Sequence, residues 1–203
     1  MRFVIATHNP HKLAELSRIL EPLGITAVTE GRLPEVEETG ATFESNSFLK
    51  ADSACDFTGL PAIADDSGLM VDALDGAPGV YSARFAGETG TYADCNRKLL
   101  ALLADVPPQQ RTAHFVSVIT CVFPNGDVVT GKGACDGVIA DTVRGEGGFG
   151  YDPLFVVGDK SFAEMTPAEK DAVSHRGRAL SAFAAELRAY LSAREKEMPY
   201  AEQ

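Results

Sequence analysis

None of the four cysteines, Cys55, Cys95, Cys121 and Cys135, forms a C-x-x-C pair with another. That scatter supplies no zinc motif and no obvious disulfide framework; it suits small buried or half-buried thiols in a reducing compartment. Long apolar runs are missing too. Nothing approaches the length of a membrane span, and Phe3 to Ala6 is far too short for the apolar part of a signal peptide. The expectation is a cytoplasmic protein with no membrane partner. Positive charge is scarce, with 18 Lys and Arg against 29 Asp and Glu and a formal net charge of -11. A polyanion would be repelled along any extended contact, which excludes a nucleic-acid polymer as partner. A small anionic substrate stays open if cations gather locally or a divalent metal screens its charge. Repeats, low-complexity segments and linkers are absent as well, and 203 residues suit one large or two-lobed domain. That domain is expected over 1–194, with a charged tail over 195–203.

What is present reads as α/β. Phe3 to Ala6 is a continuous apolar run, hence a buried strand, and Thr7-His8-Asn9-Pro10 turns it into an amphipathic helix. Leu13, Leu16, Ile19, Leu20 and Leu23 share one face of that helix, and Gly24 stops the pattern. A short strand is expected over Ile25 to Val28. Thr42 and Thr91 stand where helix caps are needed, before runs carrying Phe43, Phe48, Leu49 and Ala51, and Leu99, Leu100, Leu102 and Leu103. Pro61 to Ala64 is strand-like, and a separate short strand is expected at Leu69 to Val71. Thr112 to Phe123 is rich in β-branched and aromatic residues, and Asn125-Gly126 marks a hairpin turn. Thr166-Pro167-Ala168-Glu169 has the cap, first-turn proline and capping-box acid of a short helix. The last helix repeats Leu180, Phe183, Ala184, Leu187, Tyr190 and Leu191.

Chemistry-bearing residues collect at four places. Asp65-Asp66 lies where an apolar strand runs into Ser67-Gly68, a position at which α/β proteins gather ligands. Glu37-Glu38 is a second acidic pair on an irregular loop. One carboxylate from each, with phosphate oxygens and water, suits magnesium, which takes few protein ligands; read alone, both pairs also suit solvated turn acids. Thr7 to Lys12 offers helix-start N–H groups and an ammonium to a phosphate, or simply a capping loop. Gly145-Glu146-Gly147-Gly148-Phe149-Gly150 has the G-x-G-x-x-G spacing, but Tyr151-Asp152-Pro153 and a strand follow instead of a helix. The dinucleotide fingerprint therefore lacks its context. Phe149 and Tyr151 are aromatic enough to stack on a base, with Asp152 an acceptor beside them; a turn with core aromatics is equally open. Lys170 and Ser174-His175-Arg176 cluster cations near a helix start, for a phosphate, a base carbonyl, or the neighbouring surface acids.

In this order the segments ATHNPHK, EETGATFESN with FLKA, LPAIADDSGL, GAPGVYSARF, GGFGYDPLF and AEKDAVSHRG resemble the inosine triphosphate pyrophosphatase family, house-cleaning hydrolases of non-canonical purine nucleotides. They lie within residues 5 to 180. The chain departs from the pattern at His8 and His11, where the family often carries a small glycine. The resemblance implies an elongated two-lobed α/β fold, with a central twisted mixed β-sheet flanked by helices, a cleft between the lobes, and a homodimer. It implies hydrolysis of ITP, dITP and XTP to the monophosphate and pyrophosphate with Mg2+. It makes Thr7, Asn9 and Lys12 triphosphate contacts, with His8, Pro10 and His11 of the same loop as further substrate-binding candidates, and Glu38 and Asp66 magnesium acids. Asp66 would be the water-activating base, supported by Lys50 and Asp65. Ser67, Phe149, Gly150, Tyr151, Asp152, Lys170, His175 and Arg176 match nucleotide-binding positions. A pyrimidine-directed pyrophosphatase and a nucleotide-binding regulator without turnover are the rival readings.

Overall fold

The computed structural model describes residues 2–7, 9–21, 24–28 and 33–197, with His11, Glu15, Arg18, Ile19, Ala27, Val28, Glu195 and Glu197 described by backbone alone. Its helices and strands run in the order β1 (Arg2–Ile5), α1 (Pro10–Leu20), β2 (Thr26–Val28), α2 (Phe43–Thr58), β3 (Ala62–Val71), α3 (Tyr92–Leu102), β4 (Thr112–Val122), β5 (Val128–Ile139), β6 (Phe155–Val157), β7 (Lys160–Ser161), α4 (Pro167–Val173) and α5 (His175–Glu197). Among the described residues the strands form a seven-stranded sheet in the order β2-β1-β3-β4-β5-β6-β7. β1 is parallel to β2 and β3, and β6 is antiparallel to β5 and β7. This is the α/β class that the order of elements predicts, and the mixed sheet with helices that the resemblance implies. The expected tail over 195–203 falls partly in α5, which continues to Glu197, and partly outside the described residues.

Two compact units divide the chain. The first comprises the described residues within Met1–Asp66, Val118–Lys132 and Ala179–Gln203. Its centre is β1, buried on both faces, which is why Phe3-Val4-Ile5 reads as an unbroken apolar run. Phe3 and Ile5 pack with Leu16 and Leu20 of α1 and with Leu180, Phe183 and Leu187 of α5. Val4 packs on the other side with Ala51, Ala54 and Cys55 of α2. Ile19 and Leu23, expected on the apolar face of α1, lack a described side chain and a described position respectively. The Asn125-Gly126 turn forms as expected, with Gly126 at φ 86° and its N–H donating to Phe123 O at 2.8 Å.

The second unit comprises Ser67–Ser117 and Gly133–Arg178. Leu99 on the inner face of α3 and Leu103, the residue that caps its C-terminus, meet an aromatic group of Phe115, Phe155 and Phe162. Leu102, between them on the helix, is 49 % exposed because helical spacing turns it outward. All three predicted caps form: Thr42 with Ser45, Thr91 with Asp94, and Thr166 with Glu169 close reciprocal capping boxes.

One sequence expectation fails. Pro61 to Ala64 and Leu69 to Val71 are not separate strands; Ala62 to Val71 is continuous, and Asp65-Asp66-Ser67-Gly68 lies inside it. Turn-prone residues yield here to backbone pairing within the sheet, which outweighs local preference. The two aspartates thus sit mid-strand, not at a strand's carboxyl end.

Candidate active site

Strand alternation decides what each aspartate meets. Along β3, Ala62 and Ala64 belong to the layer of Ala51, Ala54 and Cys55 on α2, whereas Ile63 packs with Leu16 and Leu20 of α1. Asp65 continues the Ile63 face and Asp66 the Ala64 face. Accordingly, Asp65 Oδ2 pairs with Lys12 Nζ of α1 at 3.2 Å, and Asp66 Oδ1 with Lys50 Nζ of α2 at 3.0 Å. Small alanines on the Asp66 face let α2 approach closely enough for a lysine to reach the strand.

Lys50 has a second partner, Glu38 Oε1, at 2.6 Å. Burial opposes its charge, yet Asp66, Glu38 and Asp65 together outweigh that, and the ammonium titrates above its ordinary value. Burial pushes the Asp66 carboxyl above its ordinary range; Lys50 opposes this and Glu38 reinforces it. Asp66 Oδ2 is buried and has no hydrogen-bond partner among the described residues. Of the acidic pair on the loop, Glu38 turns inward and Glu37 is exposed. Two carboxylates converging on one cation are oxygen donors of the type that could hold a hard divalent ion. No group of three or more His, Cys, Asp or Glu arranged to hold a metal occurs among the described residues.

Thr7 and Asn9 shape the start of α1. Asn9 N–H donates to Thr7 Oγ1 at 3.2 Å, Asn9 Oδ1 accepts from Lys12 N–H at 3.4 Å, and Pro10 is the first helical residue. His8 lies outside the described residues, as does the side chain of His11.

The second unit gathers the remaining candidates around Phe149. Arg176 donates to Ser67 Oγ at 2.9 Å, and its guanidinium carbon lies 5.6 Å from the Phe149 ring centre. Lys170 Nζ lies 4.8 Å from the same ring and 2.7 Å from Asp152 Oδ2, which also accepts the Phe149 N–H at 2.8 Å. Two glycines make this possible. Gly148 sits at φ 71°, and a side chain there would run into the Asp152 carboxylate. A side chain at Gly177 would strike the Asp171 carbonyl, so Gly177 lets α5 start directly after α4. Gly150 O accepts from Asn96 Nδ2 at 3.0 Å, which ties the loop to α3.

Tyr151 lies in the core of the second unit. Its ring is 2 % exposed in the second core, edge-on to Tyr92 at 6.1 Å, and its hydroxyl donates to Ser82 O at 2.8 Å. The aromatic spacing that suggested two stacking rings is shared by a core anchor. His175 is likewise buried, stacked on Phe115 with centroids 4.5 Å apart at 12°.

A model of the Ham1 family matches residues 3–186. The chain belongs to that family. In this Ham1 chain the matched span takes in every described candidate residue. It is 52 % identical over 185 residues to a dITP/XTP pyrophosphatase of Desulforamulus reducens, covering 89 % of this chain and 92 % of that one. A dITP/XTP pyrophosphatase of Geobacter sulfurreducens is also 52 % identical, covering 89 % and 93 %. Among solved structures, a HAM1 protein from Coxiella burnetii superposes with TM-score 0.86 at 42 % identity, covering 93 % of this chain and 99 % of that one. The family expected from the motifs is the one that matches.

Sequence reasoning missed Asn46 of this Ham1 chain. It is completely buried, and its Oδ1 accepts the Gly40 N–H at 2.8 Å. The available signal was its position four residues before Lys50, one helical turn away on the same face.

Proposed function

We propose that this Ham1-family protein hydrolyses non-canonical purine nucleoside triphosphates, dITP, XTP and ITP, to the monophosphate and pyrophosphate with magnesium. The names of its relatives support the reaction and substrate class. The observation that carries the chemistry is the convergence of Glu38 and Asp66 on Lys50, with Asp66 Oδ2 buried and lacking a hydrogen-bond partner among the described residues. That orphaned oxygen fits a cation or an attacking water, so the residues suit the implied metal.

Glu38 and Asp66 would hold magnesium, which when bound supplies Lewis acidity and screens phosphate charge. Asp66 accepts the proton of the attacking water; a carboxyl raised by burial is the stronger base. Lys12, and Lys50 once released from its carboxylates, neutralise charge on the phosphate oxygens. Thr7 and Asn9 present the start of α1 to phosphate. Phe149 and Arg176 take the base, with Arg176 offering donors to a 6-keto oxygen. Lys170 and Asp152 hold Phe149 in place.

A cytoplasmic homodimer completes the proposal. No helix among the described residues is long and apolar enough to cross a membrane, and Phe57 on α2, 63 % exposed, is a large apolar side chain that a second copy would cover.

Incubation with ITP, dITP, XTP, GTP and ATP, with and without Mg2+, tests the reading. Monophosphate plus pyrophosphate is expected from the first three. A diphosphate plus orthophosphate would overturn the cleavage site, and binding without turnover would leave a regulator in its place.

A further inference from the structure

Glu38 lies on a stretch, residues 33–40, without helix or strand, so something else must hold its carboxylate against α2. Two residues of α2 do so. Lys50 takes the carboxylate, and Asn46, one turn earlier on the same face, takes the backbone two residues further on through Gly40 N–H. The loop lies tight against the helix start. A side chain at Gly40 would collide with Ser45 Oγ and Asn46 Oδ1, so the backbone reaches the amide only because residue 40 has none.

Asn46 is 0 % exposed, and its Nδ2 has no hydrogen-bond partner among the described residues. A buried amide with an unused donor costs stability that an apolar side chain of the same size would not. Packing therefore does not explain an asparagine here; the bond to Gly40 does.

We propose that Asn46 is a positioning residue, whose side-chain oxygen fixes the Gly40 backbone and so aims the Glu38 carboxylate for a divalent cation. This rests on the reading of Glu38 as a magnesium acid. Asn46 acts on the cation through Glu38 and touches no reacting atom.

The test compares Asn46→Leu, which fills the space without an acceptor, with Asn46→Asp, which retains one, and with Glu38→Gln. Hydrogen exchange of residues 37–42 in the full-length, metal-free protein is the readout that does not depend on activity. Asn46→Leu should exchange faster there, and Asn46→Asp should stay protected. The Mg2+ concentration for half-maximal dITP hydrolysis, and binding of Mn2+ followed by its free-ion resonance, should both weaken about tenfold in Asn46→Leu, the scale seen when a partner of a metal ligand is removed. Adding Asn46→Leu to Glu38→Gln should weaken Mn2+ binding no further. If Glu38→Gln leaves the metal dependence unchanged, the metal reading fails whatever Asn46 does. If Glu38→Gln weakens metal binding while Asn46→Leu does not, or if Asn46→Asp loses protection like the leucine variant, positioning by Asn46 is overturned. Asn46→Ser, too short to reach Gly40, carries the same comparison should the leucine variant not fold.

Discussion

The Lys50 ammonium on α2 stands 3.0 Å from Asp66 Oδ1 on β3, with the Asp66 side chain 8 % exposed. The lysine opposes the upward push that burial gives the Asp66 carboxyl, and Asp66 Oδ2 has no hydrogen-bond partner among the described residues.

Asp66→Asn should lower turnover by roughly 10²–10⁴, the range for a lost acid–base group, while nucleotide binding survives in part. Turnover near the wild-type value in saturating Mg2+ would remove Asp66 from the mechanism.

The same substitution separates function from stability. The folded carboxyl of Asp66 titrates above its unfolded value, so its protonated form favours folding and that advantage fades as pH rises through its titration. Asn imitates the protonated form. Without metal, Asp66→Asn should melt no lower than the wild type at pH 7, and the difference should shrink as pH falls below the ordinary carboxylate range. A variant clearly less stable at pH 7 would contradict the sign.

Replacing Lys50 by Met leaves Glu38 and Asp66 facing each other across a space without a cation. Breaking such a pair costs about 1–3 kcal/mol, reduced from the fully buried case because the Glu38 side chain is 26 % exposed. Added Mg2+ should then raise the melting temperature of Lys50→Met more than that of the wild type. An equal shift in both proteins would show that Lys50 and the metal do not share the two carboxylates.

Base selectivity rests on hydrogen-bond direction. A 6-keto purine presents an acceptor at O6 and a donor at N1, and adenine reverses both. A site that meets O6 with Arg176 would reject adenine by about 10⁴-fold or more. GTP shares both groups and should fall between. The expected order of kcat/KM is ITP, dITP and XTP first, GTP well below and ATP last, with Arg176→Ala narrowing the gap. Steady-state kinetics that place ATP level with ITP would refute the assignment.

At the α4 start, the Lys160 ammonium and the Thr166 N–H and hydroxyl hold the Glu169 carboxyl down at about 2. A depressed folded value stabilises above the unfolded one, ordinarily 4.5, and that stability drains away as pH falls toward about 2. Glu169→Gln should therefore lose less melting temperature than the wild type between pH 6 and pH 3. Identical pH profiles would show that the capping acid contributes nothing through its charge.

The sequence by itself determined whatever depends on close neighbours. Thr42, Thr91 and Thr166 cap their helices because the N–H groups they satisfy lie three residues on, and Asn125-Gly126 turns because its own backbone permits it. The motifs also identified the family. Only the tertiary structure decided matters that depend on partners far along the chain. Asp65-Asp66-Ser67-Gly68 reads locally as a turn, yet becomes the middle of β3 through pairing that no short window contains. Tyr151 and Phe149 look alike in sequence, but Ser82 O and the core claim Tyr151 while Phe149 stays half-buried. Glu37 and Glu38 are adjacent and chemically alike; Lys50, twelve residues beyond Glu38, selects Glu38. Asn46 is one polar residue among several until the fold buries it beneath Gly40. Capping and turning are short-range, whereas burial and charge pairing are set by whichever distant side chains the sheet and helices bring within reach.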